Sequence, residues 1–377
     1  MRKALDSLLI KPAGPDCNLD CTYCFYLDKA GLFPETKTHR MSLETLEELV
    51  KQTMQHGSRH ISFGWQGGEP TLMGLPFFRK AVEFQAKYGG GKSVGNGLQT
   101  NGLVLDGEWA EFLATYKFLV GLSLDGPEHV HDRYRVAKGG QGSWQRAVDS
   151  AGLLLSAGVA TNALVVVNDY SVRYPEEIYA FHKALGLNYM QFIPCVETDP
   201  RNPAVAAPYS VSAEQYGEFL KAVFDLWYAD ISDGVAATSV RYFDSVFHKY
   251  VGLNAPDCTL MRSCGAYLVV EHTGDVYACD FFVEDSWKLG NVHTGRLDEM
   301  LNAGRQHEFG EMKAALPQEC TACEWLSTCQ GGCTKDRIRD PRDRGSNHFC
   351  ESYKMFFAHA DGRLKQLAGE WVANQFH

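Results

Sequence analysis

The 377-residue sequence contains no apolar run that approaches the ~20 residues a helix needs to span a bilayer. It also lacks any run of Lys or Arg, and its formal net charge is −10. That balance argues against a nucleic-acid binder driven by phosphate contacts. Internal repeats and low-complexity tracts are absent too, which disfavours solenoids and disordered linkers. At the N-terminus, Met1-Arg2-Lys3 runs too soon into Asp6 and a short strand to read as a signal peptide. The expectation is a cytoplasmic enzyme-sized protein, with 45% hydrophobic and 22% charged residues, ordinary for a globular chain.

What the sequence does have is cysteine, twelve in all. In a secreted chain these would suggest disulfides, but nothing else points to export, and gaps of two to five residues suit metal ligation. Cys17-x3-Cys21-x2-Cys24 follows a short strand and forms a close thiolate triad. A [4Fe–4S] cluster normally takes four thiolates, so three leave one iron open. An open iron can chelate a small molecule bearing an amine and a carboxylate. Zinc would want a fourth ligand nearby, and Asp16 and Asp20 are poor candidates.

Eight further cysteines lie between 258 and 350: Cys258, Cys264, Cys279, Cys320, Cys323, Cys329, Cys333 and Cys350. Eight thiolates suffice for two fully ligated clusters, and a cluster with no vacant iron is suited to electron transfer. Two zinc sites, each held by four cysteines, are the alternative. Cys195 stays unassigned and reads as a packing residue.

From residue 5 to about 195, strand-like runs alternate with amphipathic segments. The strands are expected at Ser7–Lys11, His60–Trp65, Ser93–Thr100, Phe118–Leu124, Ala160–Val167 and Tyr189–Ile193. Helices are expected from Ser42 (a plausible N-cap) and over roughly 76–88, 107–116, 143–157 and 175–185. Six such repeats imply a parallel sheet, and an open or partial barrel fits best because the special residues fall just after strands. Two more helices are expected near 212–232 and 239–252. After Pro256 the chain reads as a Gly- and Cys-rich module with little helical periodicity, closed by a helix over about 351–368.

Three positions at strand ends offer further chemistry. In Gln66-Gly67-Gly68-Glu69-Pro70, two glycines permit a close backbone approach to a ligand, and Glu69 could accept from an ammonium. Ser123 ends the fourth strand, and Arg135 has the planar fork that pairs with a carboxylate. Asp280 follows Cys279 directly. It could act as a base near substrate or as a hydrogen-bond partner for its own loop.

The triad, with Tyr23 before its last cysteine, resembles the radical S-adenosylmethionine (SAM) superfamily signature, and Gly-Gly-Glu resembles its SAM-amino motif. The C-terminal cysteines resemble a SPASM domain. Across essentially the whole chain the sequence resembles the anaerobic sulfatase-maturating enzymes. The carrying segments are Cys17–Tyr26, Gln66–Leu72, Gln99–Gly102, Arg241-Tyr242-Phe243-Asp244, Tyr277-Ala278-Cys279-Asp280-Phe281 and Cys350–Lys354.

This resemblance implies an α/β fold: a partial (β/α)6 barrel of the radical SAM type over 1–235, and over 236–377 a cysteine-rich SPASM domain with two auxiliary clusters and a C-terminal helix. It implies three [4Fe–4S] clusters and SAM as cofactors. Cys17, Cys21 and Cys24 would hold the SAM-binding cluster. Tyr23, Gly68, Ser123, Arg135 and Val196 would contact SAM, Val196 standing where a leucine is expected. Cys258, Cys264, Cys279 and Cys333 would hold the first auxiliary cluster, and Cys320, Cys323, Cys329 and Cys350 the second. Asp280 matches the proton acceptor, and Tyr26 and Gln66 would help position the peptide.

The implied reaction is oxygen-independent oxidation of a cysteine or serine in a sulfatase to Cα-formylglycine. The implied partners are an unfolded or nascent sulfatase peptide of Cys/Ser-x-Pro-x-Arg type and an electron donor such as flavodoxin or ferredoxin; neither nucleic acid nor a membrane is expected. The alternatives are a radical SAM/SPASM enzyme acting on a ribosomal peptide, a non-enzymatic iron–sulfur electron carrier, and a zinc-stabilised interaction module.

Overall fold

The first strand, β1 (Ser7–Lys11), is followed by the cysteine loop and then α1 (Leu43–His56). Ser42 caps α1 as its spacing predicts: its hydroxyl accepts from the Thr45 amide at 3.0 Å, and Leu46, Leu49, Val50 and Met54 form the buried face. The order continues β2 (His60–Trp65), α2 (Leu75–Tyr88), β3 (Ser93–Thr100), α3 (Gly107–Thr115), β4 (Leu119–Ser123), α4 (Glu128–His131), α5 (Trp144–Ser156), β5 (Ala160–Val167), α6 (Pro175–Ala184) and β6 (Tyr189–Pro194). All six expected strands begin and end within one residue of these bounds. The computed structural model describes residues 2–199, 201–232, 234–339 and 345–374.

The chain forms two compact units, and each draws on distant stretches of sequence. The first comprises Met1–Ser123, Arg135–Thr161 and Gly265–Glu311. In it, β1 to β4 pair in parallel, with Leu8 opposite Phe63, Phe63 opposite Asn96, and Leu98 opposite Val120. On its other edge β1 takes a strand from the C-terminal half, Leu268–Glu271, again in parallel, with Leu8 opposite Leu268. Strands Asp275–Tyr277 and Lys288–Asn291 then follow antiparallel. Leu8, Ile10, Phe63, Trp65, Leu98 and Val120 pack with Leu46, Leu49, Phe78 and Trp109 in one core. Burying them together is what holds the helices against the parallel sheet.

The second unit comprises Leu124–Tyr134, Asn162–Cys264 and Met312–His377. Here β5 and β6 run parallel, Ala163 opposite Met190, and the short strand Ser239–Val240 joins β6. Helix α7 (Ala213–Ala229) packs on the C-terminal helix Cys350–Asn374. Gly217 permits the approach: a Cβ there would lie 2.6 Å from the Met355 sulfur and 3.1 Å from Ser352 Cα. Helix α8 (Arg241–Tyr250) adds Phe243, stacked on Phe356 at 5.2 Å, and Phe356 also meets Phe224 at 5.6 Å.

The segment after Pro256 is more regular than its composition predicts. Besides three strands it forms helices Leu297–Leu301, Gly304–Ala314 and Thr334–Arg339. Among the described residues no helix is long and apolar enough to cross a membrane.

Candidate active site

The cysteine loop is held in the first unit by backbone bonds on two sides. Gly68 N donates to Gly14 O (2.8 Å) and Glu69 N to Asp16 O (2.7 Å). A Cβ on Gly68 would lie 2.0 Å from the Asp16 carbonyl oxygen, so only glycine fits. The Gly-Gly pair therefore brings β2's end against the loop that presents Cys17. On the other side, Asp20 N donates to Val136 O at 2.8 Å, and Leu19 bridges Ala137. That strap places the Arg135 guanidinium over the Tyr23 ring at 5.4 Å, both side chains buried.

Both oxygens of Glu69 are engaged within the protein. Oε1 accepts from the Thr71 amide, the Thr71 hydroxyl and the Thr100 hydroxyl, and Oε2 accepts from Asn101 N. It is a fully buried brace, its carboxyl pushed up by burial against the pull of those donors. Asp16 is likewise committed. His39 Nδ1 lies 2.7 Å from one oxygen, and Arg40 and the His39 amide donate to the other at 2.5 and 2.9 Å. Burial pushes this carboxyl up, but the His39 and Arg40 contacts outweigh it and hold it low. Asp20 is exposed. On the same loop Cys21 is buried, and Cys17 and Cys24 are half-buried.

Asn101 donates to Asn18 Oδ1 at 2.7 Å and to Cys17 Sγ at 3.7 Å, and Leu19 N points to the same sulfur at 3.4 Å. Burial pushes the Cys17 thiol up to about 11, with Glu69 and Cys24 adding to it. Iron would have to offset that cost, because the ligand is the thiolate.

Behind the loop lies a charged cluster that joins the two ends of the first unit. Asp280 Oδ2 accepts from Gln66 Nε2 at 2.7 Å, while Oδ1 faces the Lys11 ammonium at 2.5 Å and receives no well-aligned hydrogen bond. Lys11, ending β1, is 1% exposed and sits 3.8 Å from the centroid of the Tyr26 ring. Tyr26 donates its hydroxyl to buried Glu271. Burial, and then the Glu271 charge, push that phenol well above its ordinary range. The structure thus brings Tyr26, Gln66 and Asp280 together, around a lysine that sequence reasoning missed. The available signal was a lysine closing an apolar strand just before the cysteine loop. Cys279, next to Asp280, has the Tyr267 hydroxyl 3.6 Å from its sulfur. Ser123 ends β4, half-buried.

In the second unit, Cys320, Cys323, Cys329 and Cys350 line one cavity, walled by Trp325 and Tyr353. Burial raises the Cys320, Cys329 and Cys350 thiols there, Cys329 to about 11. Four cysteines on one cavity supply as many sulfur donors as a cubane with one thiolate per iron needs. Burial, with Asp257 and Cys264 adding to it, pushes the Cys258 thiol up to about 11, and Cys264 Sγ lies 3.5 Å from the Thr334 hydroxyl. Val196 is buried, with its carbonyl accepting from Lys335 Nζ at 2.7 Å. Burial pushes the neighbouring Cys195 thiol up to about 12.

Residues 12–182 match the radical SAM superfamily, and residues 258–324 match the SPASM iron–sulfur cluster-binding domain. The serine-type anaerobic sulfatase-maturating enzyme of Bacteroides thetaiotaomicron is 39% identical over 385 residues, covering 98% of this chain and 92% of the relative. The cysteine-type enzyme of Clostridium perfringens is 38% identical over 367 residues, covering 96% and 98%.

The chain belongs to the anaerobic sulfatase-maturating enzymes. It is therefore an α/β radical SAM enzyme with a SPASM domain, of a family that uses iron–sulfur clusters and SAM. The solved structure of the maturase anSMEcpe with bound AdoMet and the Cp18Cys peptide superposes with a TM-score of 0.88 at 37% identity, covering 96% of this chain and 98% of that one. Streptococcus suis SuiB with its precursor peptide SuiA shares the fold alone, at a TM-score of 0.62 and 14% identity, covering 93% of this chain and 76% of that one.

Proposed function

We propose that this maturase oxidises a cysteine or serine in an unfolded or nascent sulfatase, within a Cys/Ser-x-Pro-x-Arg type segment, to Cα-formylglycine without oxygen, and that Asp280 takes the proton. The observation that carries the assignment is the Asp280 carboxylate, fixed by Gln66 and Lys11 in the same compact unit as the cysteine loop. Near-equal identity to serine-type and cysteine-type relatives supports both residues as substrates.

Cys17, Cys21 and Cys24 would hold the cluster that binds SAM, with Tyr23, Gly68, Ser123, Arg135 and Val196 around the cofactor. Cys258, Cys264, Cys279 and Cys333 would hold one auxiliary cluster, and Cys320, Cys323, Cys329 and Cys350 the other, making three [4Fe–4S] clusters. When bound, these groups supply a reductively generated radical that takes a hydrogen atom from Cβ, and an acceptor for the electron that follows. Flavodoxin or ferredoxin would supply the reducing electron, in the cytoplasm.

The protein's own part is proton handling and exclusion of water. Gln66 fixes Asp280 Oδ2, and Oδ1, although faced by the Lys11 ammonium, keeps lone-pair capacity for the proton of the substrate thiol or hydroxyl. Losing that proton together with a hydrogen atom and an electron leaves serine as the aldehyde. Cysteine becomes a thioaldehyde, which water hydrolyses to the aldehyde with release of sulfide. Buried Tyr26, clustered with Val269, Tyr277 and Val283, and Phe25 beside Lys11 keep the surroundings dry. Domain limits near 1–235 and 236–377 remain our functional division of the chain.

The test is anaerobic incubation of the reconstituted enzyme with Cys-x-Pro-x-Arg and Ser-x-Pro-x-Arg peptides, with aldehyde detected by hydrazide trapping and mass spectrometry. SAM cleavage with no aldehyde on either peptide overturns the proposal.

A further inference from the structure

Three lysines are buried among the described residues: Lys11 at 1% exposure, Lys335 at 5% and Lys313 at 0%. Taking an ammonium out of water is costly, so a buried one is expected to face an anion. Lys11 faces Asp280 at 2.5 Å. Lys335 faces Glu197 at 2.7 Å and Asp336 at 3.9 Å. Lys313, near the end of helix Gly304–Ala314, has no carboxylate within ion-pair distance among the described residues. Its ammonium donates to two backbone carbonyls, Cys258 O and Thr259 O, both at 2.7 Å.

A second buried cation makes this harder to account for by the protein alone. Arg337 is 6% exposed and is close enough to repel Lys313. Its fork is spent on carbonyls, including that of Lys313 at 2.8 Å, and its Nε has no partner among the described residues. Asp257, directly before Cys258, accepts from Thr259 and pairs with Arg241 at 3.6 Å. What does surround Lys313 is sulfur: it holds the Cys258 carbonyl directly, and Cys264, Cys258 and Cys333 are the cysteines close enough to act on its charge, against the larger effect of burial, which pushes the ammonium below its ordinary range.

We propose that Lys313 is the counter-charge of the auxiliary cluster to which Cys258, Cys264 and Cys333 of its own unit are assigned, and that it raises that cluster's reduction potential. This rests on the cluster assignment made above. A cubane held by four thiolates has a net negative charge that grows by one when it is reduced. A fixed positive charge beside it therefore favours the reduced form, and the effect is large where water is excluded. Such a cluster is the better acceptor for the substrate's electron. Lys313 is a positioning and tuning residue here, since it acts through the cluster.

The test uses reconstituted full-length enzyme in which Cys17, Cys21 and Cys24 are alanine, so that only the C-terminal iron reports. Lys313→Gln keeps two N–H donors for the carbonyls and loses the charge, while Lys313→Arg keeps the charge. Iron per chain and redox titrations followed by electron paramagnetic resonance are read for both. The expected result is retained iron and, at the unsubstituted midpoint, a reduced-to-oxidised ratio at least about tenfold lower in Lys313→Gln, with Lys313→Arg close to the parent. Should Lys313→Gln lose iron that Lys313→Arg keeps, charge is needed to seat the cluster, which also supports the proposal. Equal midpoints in all three proteins, or equal iron loss in both variants, overturn it. If the parent itself holds no C-terminal iron, the cluster assignment fails, and that outcome is distinct.

Discussion

Asp280 and Gly68 carry the sharpest consequences of single side chains. Replacing Asp280 by Asn keeps the Gln66 contact but removes the proton acceptor. SAM cleavage should continue while formylglycine falls by roughly 10²–10⁴-fold, the usual scale for a general base. Quantifying 5′-deoxyadenosine and aldehyde in one reaction checks this, and an unchanged product yield removes Asp280 from the role. Gly68→Ala should instead disorganise the cysteine loop, because its Cβ would meet the Asp16 oxygen at 2.0 Å. The expected outcome is lost SAM cleavage with C-terminal iron retained, read by iron analysis and product assay. Part of this site was open to inspection in the sequence. Short local spacing identified the Cys17 triad and the Gly-Gly-Glu turn, because such motifs declare themselves within a few residues. Lys11 and Glu271 were hidden: each is an isolated charge at a strand end, and its meaning comes from partners far along the chain.

Helices and strands behave as local chemistry predicts wherever alternation or a cap is strong. Ser42 satisfies the Thr45 amide, so Ser42→Ala should cost about 1 kcal/mol of stability, measured by denaturant unfolding with an unchanged slope. Between α7 and the C-terminal helix, Asp225 meets His359 and Arg363, each at 2.7 Å. Burial pushes this carboxyl up, but those hydrogen bonds prevail and hold it below its ordinary value. A depressed carboxyl stabilises the fold above its unfolded value and loses that contribution as pH falls through the folded one. Stability should therefore drop from about pH 4 downward, modestly because the pair is half-exposed, and Asp225→Asn should flatten that drop in thermal melts. The strand Leu268–Glu271 escaped sequence reading for a different reason. Four buried residues give too short a pattern, and its pairing with β1 is non-local. Helix Gly304–Ala314, polar along much of its length, was equally silent.

For the molecule as a whole, metal content is the discriminating quantity. Iron and sulfide after anaerobic reconstitution should approach three cubanes per chain, and the Cys17, Cys21 and Cys24 triple alanine variant should retain about two-thirds of that iron while losing SAM cleavage. Zinc as the main metal would contradict the scheme. The α/β class was accessible beforehand from the alternation of strands and helices, and the sulfatase-maturing chemistry from the resemblance carried by the cysteine sets with the Arg241–Asp244 and Tyr277–Phe281 segments. The two compact units were not, since neither is a single stretch of chain. The pairing of β1 with Leu268–Glu271 has a practical corollary for anyone dissecting the enzyme. A fragment stopped at residue 235 would leave β1 an unprotected edge with its hydrogen-bonding groups bare, and would strand Lys11 without its carboxylate. Such a half-enzyme should aggregate, and the radical-forming machinery would not survive as a module on its own.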